Sequence, residues 1–232
     1  MSTRKISRAL ISVYYKDHLE PIIHALGKSG VEFVSTGGTQ DFIEKLGYKV
    51  TPVEKLTGYP SIFGGRVKTL DPVVFGGLLY RRGDDGDEKQ AKEYNIAPID
   101  LAIVDLYPFE ETVAAGGSED DIIEKIDIGG ISLIRGAAKN FNDVLIVSSR
   151  SQYGMLLELL QAKNSSSDLS DRKKFAALAF DVTSHYDSAI FNYFNREFRL
   201  PSFKQSFQRG RTLRYGENPH QQGALYRERQ SQ

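Results

Sequence analysis

The stretch IDLAIVDLY, residues 99–107, carries apolar side chains through its centre and no glycine or proline. A run this short and this continuously apolar reads as a strand buried on both faces, as strands of parallel sheets are. Asp105 and Tyr107 stand at its carboxyl end, just before Pro108. Outward from it, short apolar runs alternate with amphipathic segments. RALISVY (8–14) reads as a strand, followed by a helix from about Asp17 with Leu19, Ile22, Ile23 and Leu26 on one face and Lys28, Ser29 and Gly30 closing it. VEFVS (31–35) predicts a second strand, Gln40 to Leu46 a short helix, and YKVTPV a third strand. DVLIVSS (143–149) predicts another, with Ser151 opening a further helix, while RRGDDGDEK (81–89) reads as a solvated acidic loop. Ser118 is expected to cap a helix running to about Ile126, and ISLIRGAAK predicts another. This alternation implies an α/β fold in which helices flank a mainly parallel sheet.

After NSSSDLS (164–170) the pattern changes. Phe175, Leu178, Ala179, Val182, Tyr186, Ile190, Tyr193 and Phe194 follow helical spacing, which predicts one long packing helix. The tail from Leu200 reads as irregular. The expected division is a core over 1–164, a helical extension over 165–199 and a tail over 200–232.

Composition narrows the function. Of 232 residues, 40% are hydrophobic and 11% aromatic, which suits a packed core. Lys+Arg and Asp+Glu are both 30, so no global field draws the chain to nucleic acid or an anionic membrane. Any anion must be caught locally. There is no cysteine, which removes thiolate nucleophiles and disulfides and suits a cytoplasmic location. His18, His24, His185 and His220 lack ligand spacing, so no protein-held metal is expected. The start MSTRKISRAL has no apolar signal core, and no stretch approaches a membrane span.

Three segments could hold an anion together. STGGT (35–39) lies between a predicted strand and a predicted helix, where Thr36, Gly37, Gly38 and Thr39 could turn backbone N–H groups toward a phosphate. A tight turn with Thr39 as N-cap fits the same residues. Ser12 and Lys16 follow the first strand, on the same sheet edge if the strands are neighbours, and ligands of open α/β sheets gather at the carboxyl ends of strands. GGRVKT (64–69) crowds Arg66, Lys68 and Thr69 behind two glycines; in an extended segment Arg66 and Lys68 would share a face. Tyr107 could donate to a developing oxyanion or simply end a strand. In DIGGISLIRGAAKN (127–140), Asp127 and Lys139 could do chemistry, or could cap a helix and balance its dipole.

The ordered set ISVYYKD, STGGT, GGRVKTL, DLYPF, IDIGG and RGAAKN resembles the IMP cyclohydrolase domain of the bifunctional purine-biosynthesis enzyme, over about residues 7–196. The tail LRYGENPHQ resembles the opening of that enzyme's transformylase domain, whose catalytic lysine and histidine lie outside this chain. The resemblance implies a methylglyoxal-synthase-like fold, a homodimer, and ring closure of a 5-formamido ribonucleotide to IMP without a metal or other cofactor. Carried over by motif, it places substrate binding on Ser12, Tyr14, Tyr15, Lys16, Thr36 to Thr39, Arg66, Val67, Thr69, Val104, Asp105, Ile128 and Gly129. It places catalysis on Lys68, Tyr107, Asp127 and Lys139. Lys68 and Tyr107 would steady the formyl oxygen and Lys139 would carry a proton. Asp127 would orient or deprotonate the carboxamide. The chain departs from the family pattern at Tyr14, Asp71, Phe75 and Asp105, where a small hydroxyl residue, two histidines and an asparagine are usual. A nucleotide-sensing module of the same fold would need only STGGT and Lys16, and RVKTL with IDIGG argues against a methylglyoxal-synthase-type lyase.

Overall fold

The computed structural model describes residues 3–228. In chain order the first half runs β1 (Arg4–Lys5), β2 (Arg8–Ser12), α1 (Glu20–Lys28), β3 (Glu32–Ser35), α2 (Gly37–Lys45), β4 (Val50–Pro52), α3 (Val53–Thr57), α4 (Pro72–Leu79) and α5 (Asp85–Glu93). It continues with β5 (Leu101–Val104), α6 (Phe109–Ala114), α7 (Glu119–Glu124), α8 (Gly129–Lys139), β6 (Leu145–Val147), α9 (Tyr153–Ala162) and β7 (Ser166–Ser167). A long α10 (Leu169–Phe198) and the strands β8 (Phe207–Thr212) and β9 (Ala224–Glu228) follow.

The chain divides into two compact units. Among the described residues, the first takes those up to Tyr107 together with Asp127–Thr183; the second takes Pro108–Ile126 and those from Ser184 onward.

In the first unit, five strands form a sheet in the order β4-β3-β2-β5-β6, with every neighbouring pair parallel. The alternation of side chains along each strand splits the core in two. Ala9, Ile11, Leu101, Ile103, Leu145 and Val147 face α1 and α9. Leu10, Ala102, Val104 and Ile146 face α4 and α8 on the other side. Both faces are covered, which is why the strands read as continuously apolar.

At the amino edge of the sheet, charges tie the strand starts together. Asp100 accepts from the N–H groups of Ser7 and Arg8 at 2.8 and 2.9 Å and from Arg82 Nη1 at 2.8 Å. Arg82 also donates to the carbonyls of Ile99 and Asp143, and Arg4 pairs with Asp143. Arg172, from α10, is fully buried and donates to the carbonyls of Phe141, Asn142 and Ser167. These carbonyl acceptors are what make a buried guanidinium tolerable.

Three local expectations need correction. The acidic RRGDDGDEK stretch is not all loop: α5 starts at Asp85, with Asp84 accepting from Asp87 N–H at 3.0 Å. Its acids sit in the first turn, where the helix dipole favours them. The helix α2 begins at Gly37 with Thr36 at its N-cap, not at Gln40 behind Thr39. The tail is not irregular, because β8 and β9 pair antiparallel with a register shift between Arg209 and Arg211. That irregularity, beside Gly210, breaks the period-two signal that marks a strand.

In the second unit Phe109 is buried, and its ring meets those of Tyr186 and Tyr193 edge-on at 6.2 and 5.8 Å. Ser118 caps α7 as expected, accepting from Asp121 N–H at 3.2 Å. His185 Nε2 lies 2.9 Å from Glu110 Oε2, and Tyr186 donates its hydroxyl to the Lys125 carbonyl at 2.7 Å. Among the described residues, no helix is long and apolar enough to cross a membrane.

Candidate functional site

Successive strands β2, β3 and β4 step to one side, and β5 then returns to the other side of β2. The crevice between the carboxyl ends of β2 and β5 is therefore a topological switch point, where open α/β sheets bind ligands. Five segments of the first unit meet around it.

The first two are the loop after β2 and the turn after β3. Ser12 Oγ lies 3.1 Å from Thr36 Oγ1. Thr39 turns its hydroxyl onto the backbone of Val13: it donates to Val13 O at 2.9 Å and accepts from Val13 N–H at 3.2 Å. Gly37 has φ 43°, left-handed backbone that a side chain would strain. Thr36 makes no side-chain cap, so the N–H groups of Gly37 and Gly38 form the lip of α2, where a helix presents donors and positive potential. Two ammonium groups flank this lip. A Cβ built on Gly37 would lie 3.9 Å from Lys68 Nζ, and one on Gly38 would lie 4.0 Å from Lys16 Nζ.

The third segment is the GGRVKT loop. It is not a strand: Phe63–Gly65 forms a 3-10 turn, Arg66 is helical in backbone, and Val67 makes an isolated bridge to Ile62. Arg66 and Lys68 therefore do not alternate along a pleat as expected. Arg66 is exposed, Lys68 is half-buried and Thr69 is buried. Thr69 Oγ1 lies 2.9 Å from where a Gly129 Cβ would stand, so the loop packs directly on the start of α8.

Asp127 and Tyr107 complete the group. Asp127 is 8% exposed, and its carboxylate accepts from Gly130 N–H at 2.6 Å and from the Tyr107 backbone N–H. Burial raises its pKa; the two N–H groups and nearby Lys68 pull the other way. Lys68, Tyr107 and Asp127 are thus one cluster. The Tyr107 ring meets that of Tyr14 edge-on at 5.8 Å. Ile128 is exposed, Gly129 opens α8, and Val104 buries its side chain in the core, leaving its backbone at the crevice.

Asp105 does something other than what its neighbours suggest. Its carboxylate accepts the N–H groups of both Tyr14 and Tyr15. Burial pushes its pKa up to about 6, against those two N–H bonds, Lys16 and Arg150. Lys16 donates to Val13 O at 2.7 Å and to Tyr14 O at 2.8 Å, and burial lowers its own pKa.

Lys139 is not brought to this cluster. It ends α8 and is exposed, while Asp127 adjoins the start, and at 1.5 Å per residue the helix separates them by about 15 Å. Its neighbour Asn140 donates to the carbonyls of Leu78 and Tyr80, beside Arg82 and Asp100. That is the amino edge, opposite the crevice. Helices that cross back over a parallel sheet run from its carboxyl edge to its amino edge, so no single-chain rotamer closes the gap. Two residues absent from the sequence reading do lie at the site. Arg150 stands 3.8 Å over the Tyr15 ring, and Tyr153 is buried beside Asp105. Their position just past the strand β6 is the signal that could have found them.

Comparison with known proteins gives two adjoining family matches. Residues 18–132 match the MGS-like domain, and residues 137–232 match the AICARFT/IMPCHase bienzyme. The bifunctional purine biosynthesis protein PurH of Bacteroides thetaiotaomicron is 58% identical over 224 residues, covering 97% of this chain and 44% of that protein. PurH of Bradyrhizobium diazoefficiens is 46% identical over 226 residues, covering 96% of this chain and 43% of that one. The chain thus spans less than half the length of these curated relatives. A crystal structure of ForH superposes with a TM-score of 0.68 at 32% identity, covering 82% of this chain and 97% of that one.

Proposed function

We propose, because this chain belongs to the AICARFT/IMPCHase bienzyme family, that it is an IMP cyclohydrolase. It would close 5-formamido-1-(5-phosphoribosyl)imidazole-4-carboxamide to IMP with reversible loss of water. The observation that carries this reading is the cluster of Lys68, Tyr107 and Asp127 beside the Gly37–Gly38 lip, at the switch point of the sheet. A phosphate sensor needs the lip and Lys16 but has no use for a buried carboxylate facing a second lysine.

In this reading the 5′-phosphate sits on the α2 lip near Lys16, with Arg66 and Thr69 completing its surroundings. The base then lies toward Tyr107 and Asp127. The carboxamide nitrogen must attack the formyl carbon of its ring neighbour, and holding both groups in a reactive conformer is a large part of the task. As the C–N bond forms, the formyl oxygen gains negative charge, which Lys68 and the Tyr107 hydroxyl would stabilise. One such donor is typically worth ~10²–10³ in rate. Asp127 takes the proton from the attacking nitrogen. Its raised pKa makes it a stronger base than an exposed carboxylate, and the N–H groups of Gly130 and Tyr107 keep it aimed. The formyl oxygen takes up that proton to become the carbinolamine hydroxyl, and it leaves as water together with the proton that the former formamide nitrogen gives up as the ring C=N bond forms. No metal or other cofactor is assigned, and no folate-dependent formylation.

Lys139 enters this chemistry only from a second copy, since within one chain it lies at the far end of α8. We therefore tie its proton-carrying role to a homodimer. Incubating the purified chain with the formylated ribonucleotide should yield IMP, at an unchanged rate in a strong chelator. A chain that binds IMP but never forms it would be a nucleotide sensor instead.

A further inference from the structure

The loop that leaves β2 is shaped by side chains from three directions. Thr39 holds Val13 from α2, Lys16 folds back on the carbonyls of Val13 and Tyr14, and Asp105 reaches across from β5 to the N–H groups of Tyr14 and Tyr15. Both Asp105 oxygens face backbone donors, and the residue is only 8% exposed. An ionised carboxylate can accept on both sides; an amide in its place would accept on one side and turn its NH2 toward the other N–H.

We propose that Asp105 is a positioning residue that clamps the Tyr14–Lys16 loop, presenting Lys16 to an anion at the Gly37–Gly38 lip and setting Tyr14 against Tyr107. The inference rests on the nucleotide reading of the site, but it changes what Asp105 does there. It acts on the ligand through backbone amides rather than by touching the base.

A consequence is a pH-dependent site. Protonation turns one Asp105 oxygen into a donor, so one of the two N–H groups loses its acceptor and the clamp opens. The groups that face Asp105 are Lys16 on its own loop, Arg150 after β6 and the Tyr153 hydroxyl at the start of α9. Lys16 and Arg150 favour the ionised form. Among the described residues the Tyr153 hydroxyl has no hydrogen-bond partner, and burial raises its pKa, so it stays neutral and adds no charge. Burial outweighs the two cations and places the opening near pH 6. Binding should therefore be tight above that pH and weaken below it.

The test compares the wild type with Asp105→Asn by calorimetric titration with two probes, IMP and ribose 5-phosphate, from about pH 5 to about pH 7.5. The phosphate's own second ionisation falls near pH 6, so the readout is the wild-type to variant ratio at each pH. Loss of one charge-assisted hydrogen bond predicts a ratio of about 10 at the upper pH, the same for both probes, shrinking toward 1 at the lower pH. Weakening of IMP alone would mean that Asp105 contacts the base, and a ratio of 1 throughout would mean that it positions nothing; either overturns the clamp. A ligand-free measurement separates this from failure of the nucleotide reading. The amide resonances of Tyr14 and Tyr15 should titrate near pH 6 in the wild type and not in Asp105→Asn. Amides that ignore pH would refute the clamp whatever the chain binds, whereas titrating amides in a chain that binds neither probe would retire the nucleotide reading and keep the clamp.

Discussion

Gly130→Ala offers a close test of the site because one methyl group lands on its central carboxylate. The added Cβ would stand 2.5 Å from Asp127 Oδ2 and 2.9 Å from its Cγ, while ordinary contact begins at 3.4 Å. The carboxylate must therefore retreat by about 0.9 Å (3.4 less 2.5), off the N–H groups of Gly130 and Tyr107 that aim it. A displacement of about 1 Å in a reacting group can cost ~10² in rate. Stability should move little. Alanine gains about 1 kcal/mol of helix propensity over glycine, and losing the charge-assisted bond from Gly130 N–H costs about 1.5–3 kcal/mol, for a net loss of no more than about 2 kcal/mol. Gly154→Ala is the matched control, since among the described residues nothing lies within 4 Å of its added Cβ near the start of α9. Single-turnover formation of IMP and urea unfolding would be measured on both. We expect Gly130→Ala to close the ring ~10²-fold more slowly while staying folded, and Gly154→Ala to match the wild type in rate. A folded Gly130→Ala chain within about threefold of the wild-type rate would refute the role given to Asp127.

Three further outcomes follow from the same geometry. If Lys139 serves the site of a second copy, Asp127→Asn and Lys139→Met should each be inactive alone. Mixing and re-associating them should then restore turnover, because one site of each hybrid carries neither change; continued inactivity of verified hybrids would disprove the shared site. Arg172→Met should cost at least about 3 kcal/mol in urea unfolding, since it strands the buried carbonyls of Phe141, Asn142 and Ser167; a loss under about 1 kcal/mol would show that water replaces the guanidinium. Finally, Asp105 has a folded pKa of about 6 against an ordinary 3.8, so the folded chain holds its proton more tightly. That contribution to stability is full below about pH 4 and is lost as pH rises through about 6, amounting to about 3 kcal/mol from two units at 1.36 kcal/mol each. Asp105→Asn should flatten the pH dependence of unfolding by that order, and an identical profile in both proteins would contradict it.

The strands were legible because a parallel sheet buried on both faces demands uninterrupted apolar runs, and LAIV at 101–104 satisfies that demand with no tertiary information. The Ser118 cap was legible for a similar reason, since its hydrogen bond lies within one turn. The common edge of STGGT and Lys16 was legible from chain direction once β2 and β3 are neighbours, whereas the approach of GGRVKT, which follows no strand directly, was not. The tertiary structure alone decided which side chains remain available to a ligand. Thr39 and Asp105 carry polar groups that the sequence offers equally to substrate or to backbone, and packing turned both onto the loop after β2. It also decided that Lys139 and Asp127, twelve positions apart in one motif, lie at opposite edges of the sheet. A motif records order along the chain, whereas a helix of 1.5 Å per residue converts that order into distance.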